Sequence, residues 1–173
     1  SKFRLSLAFA DALGLALPDT PDFGLASLAV PERLPESLRA VSTPMLGVIV
    51  GSSWPSKNWT VDGYADLLAR VTVSTPVSCV LLGSAGHQGT ADQIMTRAAS
   101  APVVNMVGRT SLVQLAAVLA SCQAAIGPDT GAGHLAAAVG TPYVTLFGPT
   151  DPAVVAPFGC ESLAVSAGVD CSP

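Results

Sequence analysis

Residues 123–148 read QAAIGPDTGAGHLAAAVGTPYVTLFG, and this stretch decides the fold. QAAIG (123–127) is a short apolar run closing on glycine, which suits a strand buried on both faces. GPDTG leads into a helix over 131–139, and Gly140 with Pro142 just beyond is a stop signal. YVTLFG (143–148) is a second apolar run of strand length. Strand, helix and strand in that order make parallel strands joined by a crossover helix.

The same alternation runs outward in both directions. MLGVIV (45–50) predicts a first strand, and Thr60 caps a helix whose stripe is Tyr64, Leu67, Leu68 and Val71. VSCVLLG (77–83) predicts the next strand, followed by the loop SAGHQG and a helix over 90–99 carrying Ile94 and Ala98, stopped before Pro102. VVNMVG (103–108) is a short strand, and Ser111 with Gln114 forms a capping box for a helix with Leu112, Leu115, Ala116 and Leu119 on one face. After YVTLFG, GPTDP reads as a turn and SLAVS (162–166) as a sixth strand. The fold class is α/β: a Rossmann-like open parallel sheet with flanking helices, in which ligands bind beyond the carboxyl ends of the strands.

Residues 1–44 have a different character. Leu5, Phe9 and Leu13 make one stripe of a helix over 1–15. Pro18, Pro21, Pro31, Pro35 and Pro44 then leave no room for a regular element, so 18–44 reads as a linker. The opening SKFRLSLAFADALGLAL resembles a signal peptide, but Asp11 breaks its apolar core, and an amphipathic helix of a longer protein is the simpler reading. The expected division is a helix and proline-rich linker over 1–44 and a Rossmann-like domain over 45–173.

Composition narrows the function. Half of the 173 residues are hydrophobic and 12% are charged, against about 25% in ordinary proteins, which excludes a disordered chain or a coiled coil. The net charge of −4 and the lack of any basic run argue against nucleic acid as a partner. No apolar stretch approaches the ~18 residues a membrane span needs. Cys79, Cys122, Cys160 and Cys171 lack metal-ligand spacing; Cys79 and Cys122 read as small buried hydrophobes, and a reducing cytoplasm is the simplest compartment.

Two loops at the ligand edge carry chemistry. GSSWPSKNW (51–59) holds Lys57, one of two lysines in the chain, a compact point charge suited to a diphosphate. Ser52 and Ser53 could donate to the same oxygens. The bland alternative is a solvated Lys57 with Trp54 and Trp59 packing the domain. GPDTGAGHLAAA (127–138) opens a helix at Thr130 and Gly131, whose unpaired amides favour a phosphate. Asp129 would repel that phosphate, so it caps the helix, accepts from a sugar hydroxyl, or does both. His134, in the helix's first turn close to the same edge, reads as a structural hydrogen-bonding group rather than a proton carrier. The chain has no Walker loop, no G-x-G-x-x-G after the first strand, no nucleophile elbow and no metal-ligand cluster.

These residues resemble a known family. GSSWPSKNW, VLLGSAG and VGRTSLVQLAAVLASCQAAIGPDTGAGHLAAAVGTPYVTLFGPTDP are similar to the carboxyl-terminal half of the family 9 glycosyltransferases, the lipopolysaccharide heptosyltransferases and their relatives. The similarity covers about residues 45–160. It implies one half of a GT-B architecture, two Rossmann-like domains facing across a cleft, with this half holding a nucleotide-sugar such as ADP-heptose. Carried onto this chain, Ser52, Ser53 and Lys57 would hold the diphosphate and Thr110 would lie near the base. Asp129, Thr130 and Gly131 would meet donor sugar and phosphate, with His134 supporting them. The resemblance further implies no divalent metal or other cofactor, a lipid-linked saccharide acceptor held by a separate amino-terminal domain, and a location in the cytoplasm at the inner face of the membrane. The loop SAGHQG lacks the acidic residue that some relatives place against the ribose. Two alternatives to a sugar transferase are a non-catalytic nucleotide-sugar binding module and a nucleotide-sugar epimerase of similar fold.

Overall fold

A computed structural model describes residues 2–16, 22–25 and 33–168; Ser1 and the segments 17–21, 26–32 and 169–173 lie outside the described residues. Part of the proline-rich stretch and Cys171 therefore fall outside them. Six strands, β1 (Met45–Ile49), β2 (Ser78–Leu82), β3 (Val103–Asn105), β4 (Cys122–Pro128), β5 (Tyr143–Phe147) and β6 (Ala164–Ser166), form one sheet in the order β3-β2-β1-β4-β5-β6. Every neighbouring pair is parallel. The order reverses between β1 and β4, so the loops leaving those two strands diverge at one crevice.

The strands are apolar on both faces because helices cover both. Val80 and Leu82 of β2 pack on one side with Val118, Leu119, Ala136 and Tyr143. Cys79 and Leu81 point the other way, to Tyr64, Leu68, Ala91 and Ile94. The first layer holds α5 (Leu112–Ser121) and α6 (Gly131–Ala138); the second holds α3 (Val61–Ser74) and α4 (Gln88–Arg97). Leu68 and Ile94 are fully buried, so truncating either to alanine removes about 2–5 kcal/mol.

Local signals set the helix boundaries. Thr60 Oγ1 accepts from the Gly63 amide at 3.0 Å, capping α3 as its sequence indicates. The Ser111–Gln114 capping box closes reciprocally at the start of α5. Gly140 takes φ +85° after α6, a conformation open to glycine.

Three elements depart from expectation. The tetrapeptide helix α2 (Glu36–Arg39) follows Pro35 and seats Leu38 in the core, so the end of the expected linker belongs to the packed domain. GPTDP, expected as a turn, starts the short helix α7 (Pro152–Val155), because Asp151 accepts from the Ala153 amide at 2.8 Å and Pro152 occupies its first turn. Helix α4 begins at Gln88 rather than 90, prolonged from a 3-10 turn at Ala85–His87. Helix α1 (Lys2–Ala12) lies within the expected 1–15 span; Phe9 and Leu13 of its stripe are exposed, and the side chain of Leu5 lies outside the described set.

Candidate functional site

The loop after β1 is folded by its own polar groups. The Ser52 amide donates to Asn58 Oδ1 at 2.7 Å, while Ser52 Oγ donates to the Trp54 carbonyl and accepts from the Trp54 amide. The Trp54 carbonyl also accepts from the Lys57 amide at 3.0 Å, which closes a 3-10 turn at Pro55–Lys57. That turn delivers Lys57 toward β4. Lys57 Nζ lies 2.6 Å from Asp129 Oδ2.

The loop after β4 is held from below. Tyr143, buried on β5, donates its hydroxyl to the Pro128 carbonyl at 2.9 Å. Burial first, then the charges of Tyr64 and Asp129, push its phenol well above the ordinary value, so it stays a neutral donor. Gly127 and Gly133 let this loop sit against its neighbours: a Cβ at Gly133 would run into the Tyr143 ring, and one at Gly127 would lie 2.7 Å from the Tyr143 hydroxyl. Thr130 occupies the N-cap of α6 in extended conformation without a side-chain cap, and no acidic residue stands in the first turn. The helix end thus keeps its partial positive charge.

The capping reading of Asp129 is not what the structure shows. Oδ2 accepts from Lys57 Nζ and, at 3.0 Å, from Thr150 Oγ1, while Oδ1 takes no hydrogen bond from a described residue. The carboxylate is held instead by an ammonium and a hydroxyl brought by loops on either side. The solvated-lysine reading of Lys57 also yields: its side chain is 21% exposed and ion-paired. Trp54 is exposed rather than packed, whereas Trp59 meets Tyr64 edge-on with ring centroids 5.1 Å apart.

The remaining expected residues fall on two cavities. Ser52, Ser53, Thr110 and Thr130 line one of about 290 Å³, together with Gly51, Ser84 and His87. Gly131 and His134 line a second, apolar cavity of about 540 Å³ beside Phe23, Leu135, Val154 and Phe158. The cavities share Leu112, Leu115 and Ala132 as a common wall. His134 is exposed, so a core hydrogen-bonding role does not describe it. Two polar residues were not singled out in the sequence: His87, bridging Ser84 and Ser52, and Thr150, on Asp129. Strand adjacency is the signal that could have found them, because β2 flanks β1 and β5 flanks β4. Among the described residues, no group of three or more His, Cys, Asp or Glu could hold a metal ion, and no helix is long and apolar enough to cross a membrane.

Strand order, crevice and paired loops define a Rossmann-like domain with a polar ligand edge. The family model for glycosyltransferase family 9 (heptosyltransferase) matches residues 4–173, and the chain belongs to that family. Lipopolysaccharide heptosyltransferase 1 of Pseudomonas aeruginosa is 31% identical over 171 residues, which cover 98% of this chain and 46% of that protein. Lipopolysaccharide heptosyltransferase 2 of Salmonella typhimurium is 33% identical over 113 residues, 63% of this chain and 32% of that protein. The solved structure of E. coli heptosyltransferase WaaC with ADP superposes with a TM-score of 0.74 at 26% identity, over 92% of this chain and 48% of that one. E. coli ADP-heptose lps heptosyltransferase II gives a TM-score of 0.67, also at 26% identity, over 87% of this chain and 46% of that one. The chain spans about half the length, or less, of these relatives.

Proposed function

We propose that this chain is the donor-binding half of a glycosyltransferase that moves a heptose from ADP-heptose onto a lipopolysaccharide-type acceptor. The observation that carries the reading is the Lys57–Asp129 pair, which brings a cation and a carboxylate together at the carboxyl edge of adjacent strands in a family 9 chain. The relatives support the choice of donor: one solved neighbour is described with ADP and another as an ADP-heptose lps heptosyltransferase.

In this reading Ser52, Ser53 and Lys57 hold the diphosphate, and Thr110 stands at the nucleoside end of the cavity that it lines with the two serines. An ammonium has three protons, so Lys57 can keep one on Asp129 and offer the others to phosphate oxygens. Asp129, with Oδ1 still open, accepts from a hydroxyl of the donor sugar. Thr130 and Gly131 supply the helix-end amides, and His134 supports the sugar from α6. An acceptor oxygen attacks the anomeric carbon, and the new C–O bond forms as the bond to the diphosphate breaks. The electron pair leaves on the nucleoside diphosphate, and the acceptor proton passes to a base in the acceptor-binding half. Lys57 and the α6 amides stabilise the charge as it grows on the leaving group, in place of a metal ion. The reaction takes place in the cytoplasm, at the inner face of the membrane that carries the acceptor.

Calorimetric titration of this chain with ADP, UDP and GDP tests the proposal. Saturable binding of ADP with weaker UDP and GDP is expected. Equal binding of all three would remove the ADP-heptose assignment, and binding of none would contradict a donor site built on this half.

A further inference from the structure

Strands β1 and β2 run in register from Met45↔Ser78 to Ile49↔Leu82, and the Val50 amide extends the ladder onto the Leu82 carbonyl at 2.9 Å. Beyond that point the chains separate into the loops at Gly51 and Gly83. The next link across the gap is a side chain: His87 Nε2 lies 3.2 Å from the Ser52 carbonyl oxygen, 35 residues away in sequence. Its Nδ1 lies 3.0 Å from Ser84 Oγ.

We propose that His87 is the positioning residue of the Ser52–Lys57 loop, holding it through an Nε2–H···O=C bond to Ser52 in the geometry that grips the donor's diphosphate. This rests on the donor-binding reading above. A carbonyl oxygen can only accept, so Nε2 carries the proton, and in the neutral ring Nδ1 accepts from the Ser84 hydroxyl. The ring lies against the backbone of Gly51: a Cβ there would sit 2.6 Å from Nε2, so glycine is what admits the imidazole. From Ser52 the constraint passes on through bonds already described. Ser52 Oγ donates to the Trp54 carbonyl at 2.8 Å, and that carbonyl accepts the Lys57 amide at 3.0 Å. His87 therefore sets where the turn presents Lys57, acting through Ser52.

Two variants of this chain separate the bond from the bulk of the ring. His87→Leu removes the donor, whereas His87→Gln keeps an N–H that can reach the Ser52 carbonyl. His87→Leu is expected to weaken ADP about tenfold, the scale of one lost hydrogen bond, with His87→Gln recovering most of it. Amide exchange should quicken at Trp54 and Lys57 in His87→Leu, while the Ala125 amide, bonded to Pro142 in the sheet, stays protected. The nitrogen-15 spectrum of the wild-type imidazole should show a protonated Nε2 and an unprotonated Nδ1. A proton on Nδ1 alone, unchanged exchange in His87→Leu, or equal losses in both variants would overturn the proposal. If wild type binds no nucleotide, the donor reading fails, while tautomer and exchange still decide whether His87 holds the loop.

Discussion

Lys57 Nζ sits 2.6 Å from Asp129 Oδ2 although the two residues are 72 positions apart in the chain. The contact follows from topology. β1 and β4 are neighbours at the point where strand order reverses, so their loops leave side by side and one charge from each meets in the crevice. With side-chain exposures of 21% and 10%, the pair is neither fully solvated nor sealed.

Asp129→Asn replaces the charged acceptor by a neutral one. Loss of a hydrogen bond to a charged group costs about 1–3 kcal/mol, partly relieved because Lys57 can turn to water. The expected result is a lower urea midpoint with an unchanged slope. An unchanged midpoint would mean that the pair contributes nothing to the fold.

Thr150 donates to the same Asp129 oxygen at 3.0 Å and helps Lys57 hold the carboxylate. Thr150→Val removes the donor at nearly constant volume and should cost about 1 kcal/mol, with Thr150→Ser close to wild type. If Asp129 meets the donor sugar, Thr150→Val should weaken ADP-heptose more than ADP. Equal weakening of both would place the effect on the phosphates.

Gly133→Ala pushes a methyl into the Tyr143 ring, which is fully buried. Overpacking of this kind costs about 1–3 kcal/mol. At about 2–4 °C per kcal/mol for a domain of this size, calorimetry should show a fall of several degrees. Gly131→Ala, in open space two positions earlier, should leave the melting temperature nearly unchanged.

Burial pushes the Cys122 thiol up to about 12 and the Cys79 thiol up to about 11, from an ordinary 9.0. A raised acid pKa in the fold means that the native state keeps its proton while the unfolded chain has lost it. Stability from these thiols is complete below pH 9.0 and declines as pH rises toward 11–12. Melting temperatures across that window should fall with pH, and the fall should be shallower in Cys79→Ala relative to its own value at pH 8. Iodoacetamide at pH 8 should label these cysteines slowly in the folded chain and quickly in urea.

The sheet was legible because β1, β2, β4 and β5 are compact apolar runs closed by Gly or Pro, and Thr60 and Ser111 announce their helices by local hydrogen bonds. The two loops of the candidate site stood out as well, since a lone lysine and a D-T-G helix start are conspicuous between strands. Pairings across space were not. Nothing within SAGHQG says that His87 reaches Ser52, and nothing in GPTDP says that Thr150 reaches Asp129. Both depend on which strands lie side by side, a property of the whole sheet. The capping role considered for Asp129 failed for the same reason: local rules favour the helix amides, and a distant lysine outcompetes them. The helix α2 was hidden by the prolines around it, because Pro35 at a helix start reads in isolation as a linker residue.

The most direct test of the central claim compares wild type with Lys57→Ala by calorimetry, using ADP and adenosine as ligands. If Lys57 holds the diphosphate, the substitution should weaken ADP at least tenfold, about 1.4 kcal/mol, and leave adenosine unchanged. Equal affinity of both proteins for ADP would contradict a phosphate role for Lys57 and leave its bond to Asp129 as a structural contact alone.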